Sequence, residues 1–256
     1  MFSRAILRRP AANFASGETT VDLGVPVFAE VEKQYQGYCD ALQRCGLELT
    51  ILEADPDHPD STFVEDAAVL TSARAIFTRP GARSREGEVA RIRPEVEPHF
   101  KTVSEIIAPG TLDGGDICEA GNHFFIGISQ RTNPEGARQL AKILESDGHT
   151  TATVDIRGMT NILHLKSGTA YLGENVVVVM EAMAERPEFS AYECIRVIPG
   201  ETYAANCVRV NDHVLMPAGF PVLQAELQRR RYRVIPLAMS EFQKMDGGLS
   251  CLSLRF

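Results

Sequence analysis

Apolar residues recur at helical spacing in several windows of the chain. In the first window, Val27, Val31, Tyr35 and Leu42 lie four or seven residues apart, and Gly46 follows them. This spacing places them on one face of a helix, and a glycine commonly follows a helix end, so the pattern predicts an amphipathic helix that stops before Gly46. Similar spacing predicts four more helices, at residues 89–96, 133–148 and 180–189 and in a segment that starts at Pro221. Pro94 is expected to bend the first of these and Pro187 to interrupt the third. The second is expected to begin with Asn133 as N-cap and Pro134 in its first turn.

Short apolar runs lie between these windows and predict β-strands. The N-terminal run Ala5, Ile6 and Leu7 predicts a first strand, and the run 251–256 alternates between polar and apolar residues as a terminal strand does. Because strands and helices intermix along the whole chain, the pattern indicates an α/β fold. The other predicted strands cover residues 47–52, 67–70, 75–78, 124–128, 176–179, 208–210, 214–216 and 234–235.

Short polar segments recur along the chain at intervals of roughly 40–55 residues, which is close to the period of repeated supersecondary units. One predicted helix falls in each interval or just before the first segment. This regularity suggests five radially arranged units whose polar segments meet at a common axis. No linker or low-complexity stretch divides the chain, so residues 1–256 are expected to form a single catalytic domain. The five segments are residues 60–66, 113–116, 161–164, 204–207 and 246–251.

Composition narrows the classes of partner. A chain of 256 residues with 44% hydrophobic content can bury a large core, and its net charge of −8 argues against a nucleic-acid partner. An acidic protein suits a cationic small molecule, although mild acidity is also ordinary solubility chemistry. The six cysteines include no C-x-x-C pair, which indicates a reduced, intracellular protein, expected in the cytoplasm. No apolar stretch reaches the length of a membrane span, so no membrane partner is expected.

Three residues are candidates for catalysis. Cys251 follows the glycines of residues 246–251, where the backbone can approach a ligand closely, so its thiol is a candidate nucleophile. Free cysteine is more often a small buried hydrophobe, which is the interpretation of the other five. His164, between two leucines, is the best acid–base candidate, although alone it is equally a buried structural histidine. Asp113, in the run D-G-G-D, could orient His164 or belong to a plain turn.

Binding residues can be proposed from charge. Asp60, Glu65 and Asp66 surround Phe63 and could enclose a delocalised cation, or form a polar loop before a strand. A calcium loop is excluded, because Asp60 stands where such a loop requires glycine. Two arginines, Arg85 and Arg131, could clamp a carboxylate, although each alone is more often a surface residue. Acids at one end and arginines at the other describe a site for an amino acid with a cationic side chain.

At these motifs the chain resembles the dimethylarginine dimethylaminohydrolases of the guanidino-group-modifying (pentein) superfamily, over essentially its whole length. The resemblance implies a five-bladed α/β propeller of pseudo-repeated ββαβ modules around a central active site. Any one motif is weakly specific, but their shared order makes the match strong. The motifs are residues 63–66 (FVED), 78–82 (TRPGA), 112–116 (LDGGD), 131–133 (RTN), 164–166 (HLK), 204–207 (AANC) and 246–251 (DGGLSC).

The resemblance also implies roles for the site residues and a reaction. Methylated arginine would be hydrolysed to citrulline and an amine through a cysteine-linked S-alkylthiouronium, with no metal or organic cofactor. The small-molecule substrate would be the partner, and a homodimer is compatible with this prediction. The implied roles are nucleophile for Cys251, acid–base for His164, histidine partner for Asp113, guanidinium binding for Asp60, Phe63, Glu65 and Asp66, α-carboxylate binding for Arg85 and Arg131, a backbone contact from Met245, and a lid contact from Glu18.

Two positions depart from the family pattern. Some bacterial members carry glutamate where Asp113 stands, and relatives tend to carry leucine near Glu18. Arginine deiminases typically place an aspartate two residues after the histidine, where this chain has Lys166. A methylated nitrogen has fewer N–H donors and would leave such a carboxylate underpaired, so Lys166 suits a methylated substrate. The alternatives are an arginine deiminase, a hydrolase of another small guanidine, or a non-catalytic ribosome anti-association protein of the same fold.

Overall fold

The chain folds into small β-sheets of three strands each. A computed structural model describes residues 1–159 and 162–256, and the predicted segment 161–164 therefore begins with a residue, Asn161, that lies outside the described residues. Within the described ranges there are five such sheets. Their strands are β1 (Arg4–Arg8), β2 (Glu48–Leu52), β3 (Ala68–Leu70), β4 (Arg74–Phe77), β5 (Thr102–Glu105), β6 (Ile117–Ala120), β7 (His123–Ile128), β8 (Thr150–Asp155), β9 (Thr169–Gly173), β10 (Val176–Met180), β11 (Glu193–Val197), β12 (Val208–Val210), β13 (His213–Pro217), β14 (Arg233–Leu237) and β15 (Leu254–Arg255).

Every sheet has the same topology. Its central strand pairs antiparallel with one neighbour and parallel with the other, as β7 does with β6 and β8. The parallel partner needs a crossover, which a helix supplies in four of the five units that the structure describes. The fifth sheet joins the two ends of the chain, because β1 pairs antiparallel with β15 and parallel with β2. These units form the five-module, propeller-like α/β fold that the resemblance implied.

The predicted helices are confirmed with one exception. Helix α1 (Phe28–Arg44) ends before Gly46, as predicted. The side-chain carbonyl of Asn133 caps helix α3 (Pro134–Ser146) by accepting the N–H of Gly136 at 2.7 Å. The prediction for residues 180–189 was wrong: two short 3₁₀ turns lie there, since Pro187 removes a helical N–H and restricts the residue before it. A single-turn helix near the C-terminus was not predicted. The helices are α1 (Phe28–Arg44), α2 (Glu88–Val96), α3 (Pro134–Ser146), α4 (Pro221–Arg229) and α5 (Ser240–Gln243).

In each sheet a 3₁₀ turn precedes the strand that pairs antiparallel with the central strand. The predicted polar segments overlap these turns, except that His164 lies directly before its turn. The turns are Val64–Ala67, Gly114–Asp116, Leu165–Ser167, Pro199–Ala205 and Ser250–Leu252. The terminal strand therefore begins at Leu254, and the prediction that it begins at Cys251 was wrong. Consecutive turns contact one another around the axis, and the side chain of Asn206 closes the ring by accepting the N–H of Ser250 at 3.0 Å. We call this arrangement the axial ring.

Apolar side chains pack between neighbouring sheets. One buried cluster joins Phe14, Tyr38 and Leu42 to Phe242 and to Cys251, so the last turn of the axial ring rests on the helix face predicted from sequence. Such a cluster fixes the turn in place, because interiors are packed closely enough to resist small displacements. In the part of the chain that the structure describes, no helix is both long and apolar enough to cross a membrane.

Candidate active site

The axial ring buries the candidate acid–base residue. His164 is 5% exposed, and its Nε2 lies 3.0 Å from Oδ2 of Asp113. Burial alone would lower the pKa of His164, but the charge of Asp66 and the hydrogen bond to Asp113 outweigh it and raise that pKa to about 9. The imidazole is therefore held as a cation at neutral pH, with Asp113 fixing its orientation.

The two aspartates of the D-G-G-D motif bind different groups. Asp113 accepts the N–H of Gly81 through Oδ1 at 2.8 Å, which leaves Oδ2 for His164. Asp116 accepts the N–H of Leu165 at 3.0 Å, and so holds the turn that follows His164. Burial raises the pKa of Asp116 to about 6. Sequence reasoning assigned no role to Asp116, although its place beside Asp113 was a usable signal.

The glycines of that motif are required for close approach. A Cβ at Gly115 would lie 2.7 Å from Nδ1 of His164 and 2.8 Å from Oδ1 of Asp66. Real Cβ atoms do not come so near, so any other residue would push the imidazole and the carboxylate apart. The backbone N–H of Gly115 instead donates to Asp66 at 2.8 Å.

The candidate nucleophile lies in the same environment. Burial, followed by the charges of Glu65 and Asp66, raises the pKa of the Cys251 thiol to about 12. The charge of Asp66 thus contributes to the pKa of both Cys251 and His164, and the turn that carries Cys251 contacts the turn that carries Asp66. For Asp66 itself burial would raise the pKa, but the charges of His164 and Arg85 lower it to about 2. A cation bound beside the thiol would act in the opposite direction to these carboxylates and lower the pKa of the thiol.

The acidic segment provides three buried carboxylates with different partners. Asp60 is 4% exposed, and burial raises its pKa. Glu65 is bound on both oxygens, to Lys166 at 2.6 Å and to the hydroxyl of Ser250 at 2.8 Å. Phe63 packs edge-on against Phe14, with ring centroids 5.8 Å apart. Lys166, which stands where arginine deiminases typically place an aspartate, is thus a partly exposed partner of the acid cluster.

The two candidate arginines meet different carboxylates. Arg85 is buried, and its guanidinium pairs with Asp66 at 2.5 Å and with Glu88 at 2.7 Å. Arg131 lies at the site entrance, where its Nη2 is 2.7 Å from Oε2 of Glu18. The Nη1 atom of Arg131 is buried and has no hydrogen-bond partner among the described residues. A free, buried guanidinium nitrogen is a ready position for a ligand carboxylate.

Residues 17–20, which we call the lid, form a largely exposed segment that is hydrogen-bonded to Asp60, Lys244 and Asp246. The N–H of Glu18 donates to Oδ2 of Asp60 at 3.0 Å, and the hydroxyl of Thr19 donates to the carbonyl of Lys244 at 3.0 Å. Thr20 is tied to the carboxylate of Asp246, through its N–H and its hydroxyl. Beside this contact, Met245 is buried in the same apolar cluster as Cys251. The lid anchor at Asp246 was not assigned from sequence.

One group of residues also has the arrangement of metal ligands. Ligand atoms of Asp66, Asp113 and His164 all lie within 4.8 Å of one another. A histidine must lose its ring proton before it can bind a metal, and the raised pKa of His164 opposes that loss. We therefore interpret Asp66, Asp113 and His164 as a cationic imidazole between two carboxylates.

Comparison with known proteins agrees with this geometry. The family model described as arginine deiminase matches residues 56–210. The N(G),N(G)-dimethylarginine dimethylaminohydrolase of Pseudomonas aeruginosa is 45% identical over 257 residues, which is 100% of both chains. The chain belongs to the dimethylarginine dimethylaminohydrolase family.

Solved structures of that family superpose closely on this fold. The P. aeruginosa dimethylarginine dimethylaminohydrolase, as a cysteine-to-serine variant complexed with citrulline, has a TM-score of 0.97 at 44% identity and covers 100% of both chains. A histidine-to-glycine variant of a dimethylarginine dimethylaminohydrolase, as an adduct with S-methyl-L-thiocitrulline, has a TM-score of 0.96 at 44% identity and the same coverage. The family and its propeller-like fold are therefore shared by this chain.

Proposed function

We propose that this protein hydrolyses asymmetric dimethylarginine and monomethylarginine to citrulline and dimethylamine or methylamine. The observation that carries the proposal is the buried group of Asp66, Asp113 and His164, with the turn that carries Cys251 in contact with the turn that carries Asp66, in a chain of this family. Residues 1–256 act as one catalytic domain, located in the cytoplasm. The reaction uses a small-molecule substrate and no metal or organic cofactor, because the substrate charge and the protein carboxylates supply the electrostatics.

The guanidinium group binds at the acidic end of the site. Asp66, held by Arg85 and Gly115, and Asp60, buried without a direct ion pair among the described residues, face this cation with their charges. Phe63 contributes a ring face, and Glu65 adds charge close to the thiol. A flat, delocalised cation matches a group of carboxylates in fixed positions, since its N–H groups point outward in one plane.

Substrate binding then activates the thiol. The positive guanidinium favours the thiolate of Cys251, which loses its proton to solvent and attacks the central guanidinium carbon. His164 donates a proton from Nδ1, the ring nitrogen that Asp113 does not hold, to the departing amine as the C–N bond breaks. The neutral imidazole next takes a proton from water, which attacks the same carbon. The C–S bond breaks and regenerates the thiolate of Cys251, and the O–H proton is lost to solvent as the carbonyl of citrulline forms.

The amino-acid end of the substrate lies toward the entrance. Arg131 binds the α-carboxylate through its unpartnered Nη1. Arg85 assists from within, where four of its five N–H groups already have acceptors and one on Nη1 is available. The backbone of Met245 completes the contacts, and the lid residue Glu18 lies beside Arg131 at this end of the site. A homodimer stays a prediction.

The function is tested by steady-state assays of citrulline release from dimethylarginine, monomethylarginine and arginine. We expect the two methylated substrates to give the higher kcat/KM, and mass spectrometry to detect a sulfur-linked adduct on Cys251. Cys251→Ser should abolish turnover, whereas Cys194→Ser, a half-buried cysteine away from the axial ring, should retain it. A highest kcat/KM with arginine would establish a deiminase instead, and no turnover of any guanidine would contradict an enzyme.

A further inference from the structure

The lid places a carboxylate of the protein itself at the position expected for a ligand carboxylate. One oxygen of Glu18 pairs with Nη2 of Arg131 at 2.7 Å, and the other accepts the hydroxyl of Ser84. The guanidinium of arginine offers two parallel N–H groups to a carboxylate, and that fork gives arginine its preference for such ligands. Glu18 occupies the Nη2 side of the fork, while Nη1 has no partner among the described residues.

The position of Glu18 is fixed by the lid backbone. Its N–H donates to Asp60, and the next two lid residues, Thr19 and Thr20, are bound to Lys244 and Asp246. The hydrogen bond from Ser84, followed by the charge of Arg131 over the opposing effect of burial, lowers the pKa of Glu18, so the carboxylate is charged at neutral pH. The glutamate is thus presented to Arg131 as a charged, pre-positioned group.

The same side chain can leave that position at low cost. The Glu18 side chain is 44% exposed, whereas that of Arg131 is 12% exposed. Once Glu18 separates from Arg131, water solvates its exposed carboxylate, and the incoming carboxylate takes over the pairing with the guanidinium. A displaced Glu18 would turn toward solvent, while the displacing carboxylate would bind both Nη1 and Nη2 of the largely buried Arg131 guanidinium.

We propose that Glu18 is an internal competitor for the carboxylate-binding arginine, and that it sets how strongly the protein discriminates in favour of ligands with an α-carboxylate. A ligand with this group must take Nη2 of Arg131 from Glu18, and the energy lost in that exchange weakens its binding. A ligand of the same length without the carboxylate makes no such exchange. Glu18 therefore reduces the difference in affinity between ligands with and without the α-carboxylate. This inference rests on the proposed function, because it assumes that Arg131 faces the amino-acid end of the ligand.

The test compares two unreactive ligands by isothermal titration calorimetry. L-citrulline carries the α-carboxylate, and 4-aminobutylurea is the same molecule without it. In Glu18→Gln, which keeps the size of the side chain and removes its charge, we expect citrulline to bind roughly three- to fivefold more tightly, the range for releasing an exposed ion pair. The affinity for 4-aminobutylurea should not rise, so the ratio of the two dissociation constants should change by at least about threefold.

A matched control separates competition from the general charge of the lid. Asp22→Asn removes the same charge from the same exposed segment, and Asp22 makes no hydrogen bond or ion pair among the described residues. In Asp22→Asn, the ratio of the dissociation constants of citrulline and 4-aminobutylurea should equal the ratio in the unsubstituted protein. An unchanged ratio in Glu18→Gln, or an equal change in Asp22→Asn, would overturn the inference while leaving the proposed function intact. Failure of the unsubstituted protein to bind citrulline would overturn both.

Discussion

Around His164 the side chains of the axial ring hold one another through buried hydrogen bonds, whereas around Glu18 the lid is tied to the site by bonds that solvent reaches. We call the first group the floor, made of Asp66, Asp113, Asp116, His164 and Cys251, and the second the rim, made of residues 17–20, Ser84, Arg131 and Asp246. In the floor, each carboxylate accepts at least one backbone N–H and is less than 5% exposed. In the rim, the Glu18 side chain is 44% exposed.

The difference follows from what each region must do in the proposed reaction. Proton transfer and attack at carbon need groups that are already in position, since reorganising them would add to the barrier. Ligand entry needs contacts that can be exchanged for contacts with the ligand. Buried, mutually hydrogen-bonded groups give the first property, and exposed ion pairs give the second. Substitutions in the floor should therefore change kcat, and substitutions in the rim should change KM.

The largest effect is expected from Asp113→Asn. The amide keeps the size of the side chain and can still accept the N–H of Gly81, but it lacks the negative charge that holds the His164 cation. We expect kcat for dimethylarginine to fall by ~10²–10⁴-fold, the range for losing acid–base function. The limb of the kcat profile that falls at high pH should also move to lower pH, because a cause of the raised pKa of His164 is gone.

Binding measurements make this prediction specific. Citrulline affinity should change far less than kcat in Asp113→Asn, and Asp113→Glu, which restores the charge, should recover part of the activity. Asp212→Asn, at an exposed residue that pairs only loosely with Arg233 at 3.9 Å, serves as the control for loss of an acidic charge. A kcat within tenfold of the unsubstituted value would mean that Asp66 and Asp116 orient His164 without Asp113, and the floor would not work as described.

A smaller effect is expected in the pH dependence of stability. The pKa of His164 is raised in the folded protein to about 9 from its ordinary value of 6.5. Its contribution to the free energy of unfolding is thus fully present below pH 6.5 and is lost as pH rises through about 9. The difference in that free energy between the unsubstituted protein and His164→Gln should fall by ~1–3 kcal/mol over this window, measured by urea unfolding at a series of pH values.

A second histidine supplies the control for that measurement. Burial lowers the pKa of His123, so its contribution is present above pH 6.5 and is lost as pH falls through its folded pKa. His123→Gln should therefore leave the slope above pH 6.5 unchanged. If the difference between His164→Gln and the unsubstituted protein were flat in pH, the imidazole would not be held as a cation, and the contrast between floor and rim would lose its electrostatic basis.

The sequence was sufficient for the repeated features of the fold. Apolar runs located ten of the fifteen strands that the structure describes, and they missed β5, β6, β8, β9 and β11. The spacing of the polar segments indicated five units, because each unit repeats the same local requirements. Cys251 was named because it follows a pair of glycines, and Asp113 because it belongs to the D-G-G-D run. His164, between two leucines, was named as the best acid–base candidate among the histidines. Helical spacing was misleading at residues 180–189, where Pro187 prevents a regular helix. The start of the terminal strand was also misplaced, since the turn Ser250–Leu252 continues the axial ring.

Contacts between distant segments could not be read from the sequence. The pairing of Glu65 with Lys166, and that of Glu18 with Arg131, depend on how the turns of different units face one another around the axis. Local spacing carries no information about that rotation. The roles predicted for the two arginines stay predictions, and the sequence could not anticipate that Arg85 would be bound to Asp66 and Glu88.

The smallest effect is expected where the lid meets Asp246. This residue has a positive φ of 56°, a conformation that asparagine also tolerates, so Asp246→Asn keeps the backbone and removes the charge that binds Thr20. Hydrogen bonds to a charged acceptor are roughly twice as strong as neutral ones, and the lid should open more often without it. We expect KM for dimethylarginine to rise by about two- to fivefold with kcat within about twofold, since an exposed contact contributes little energy and lies away from the reacting atoms.

Limited proteolysis should cut residues 17–25 faster in this variant than in Asp22→Asn, which removes a charge just after the lid without a partner in the described structure. A change confined to kcat would place Asp246 with the floor, because it would mean that the lid contact positions the reacting groups and does not control the entry of the ligand.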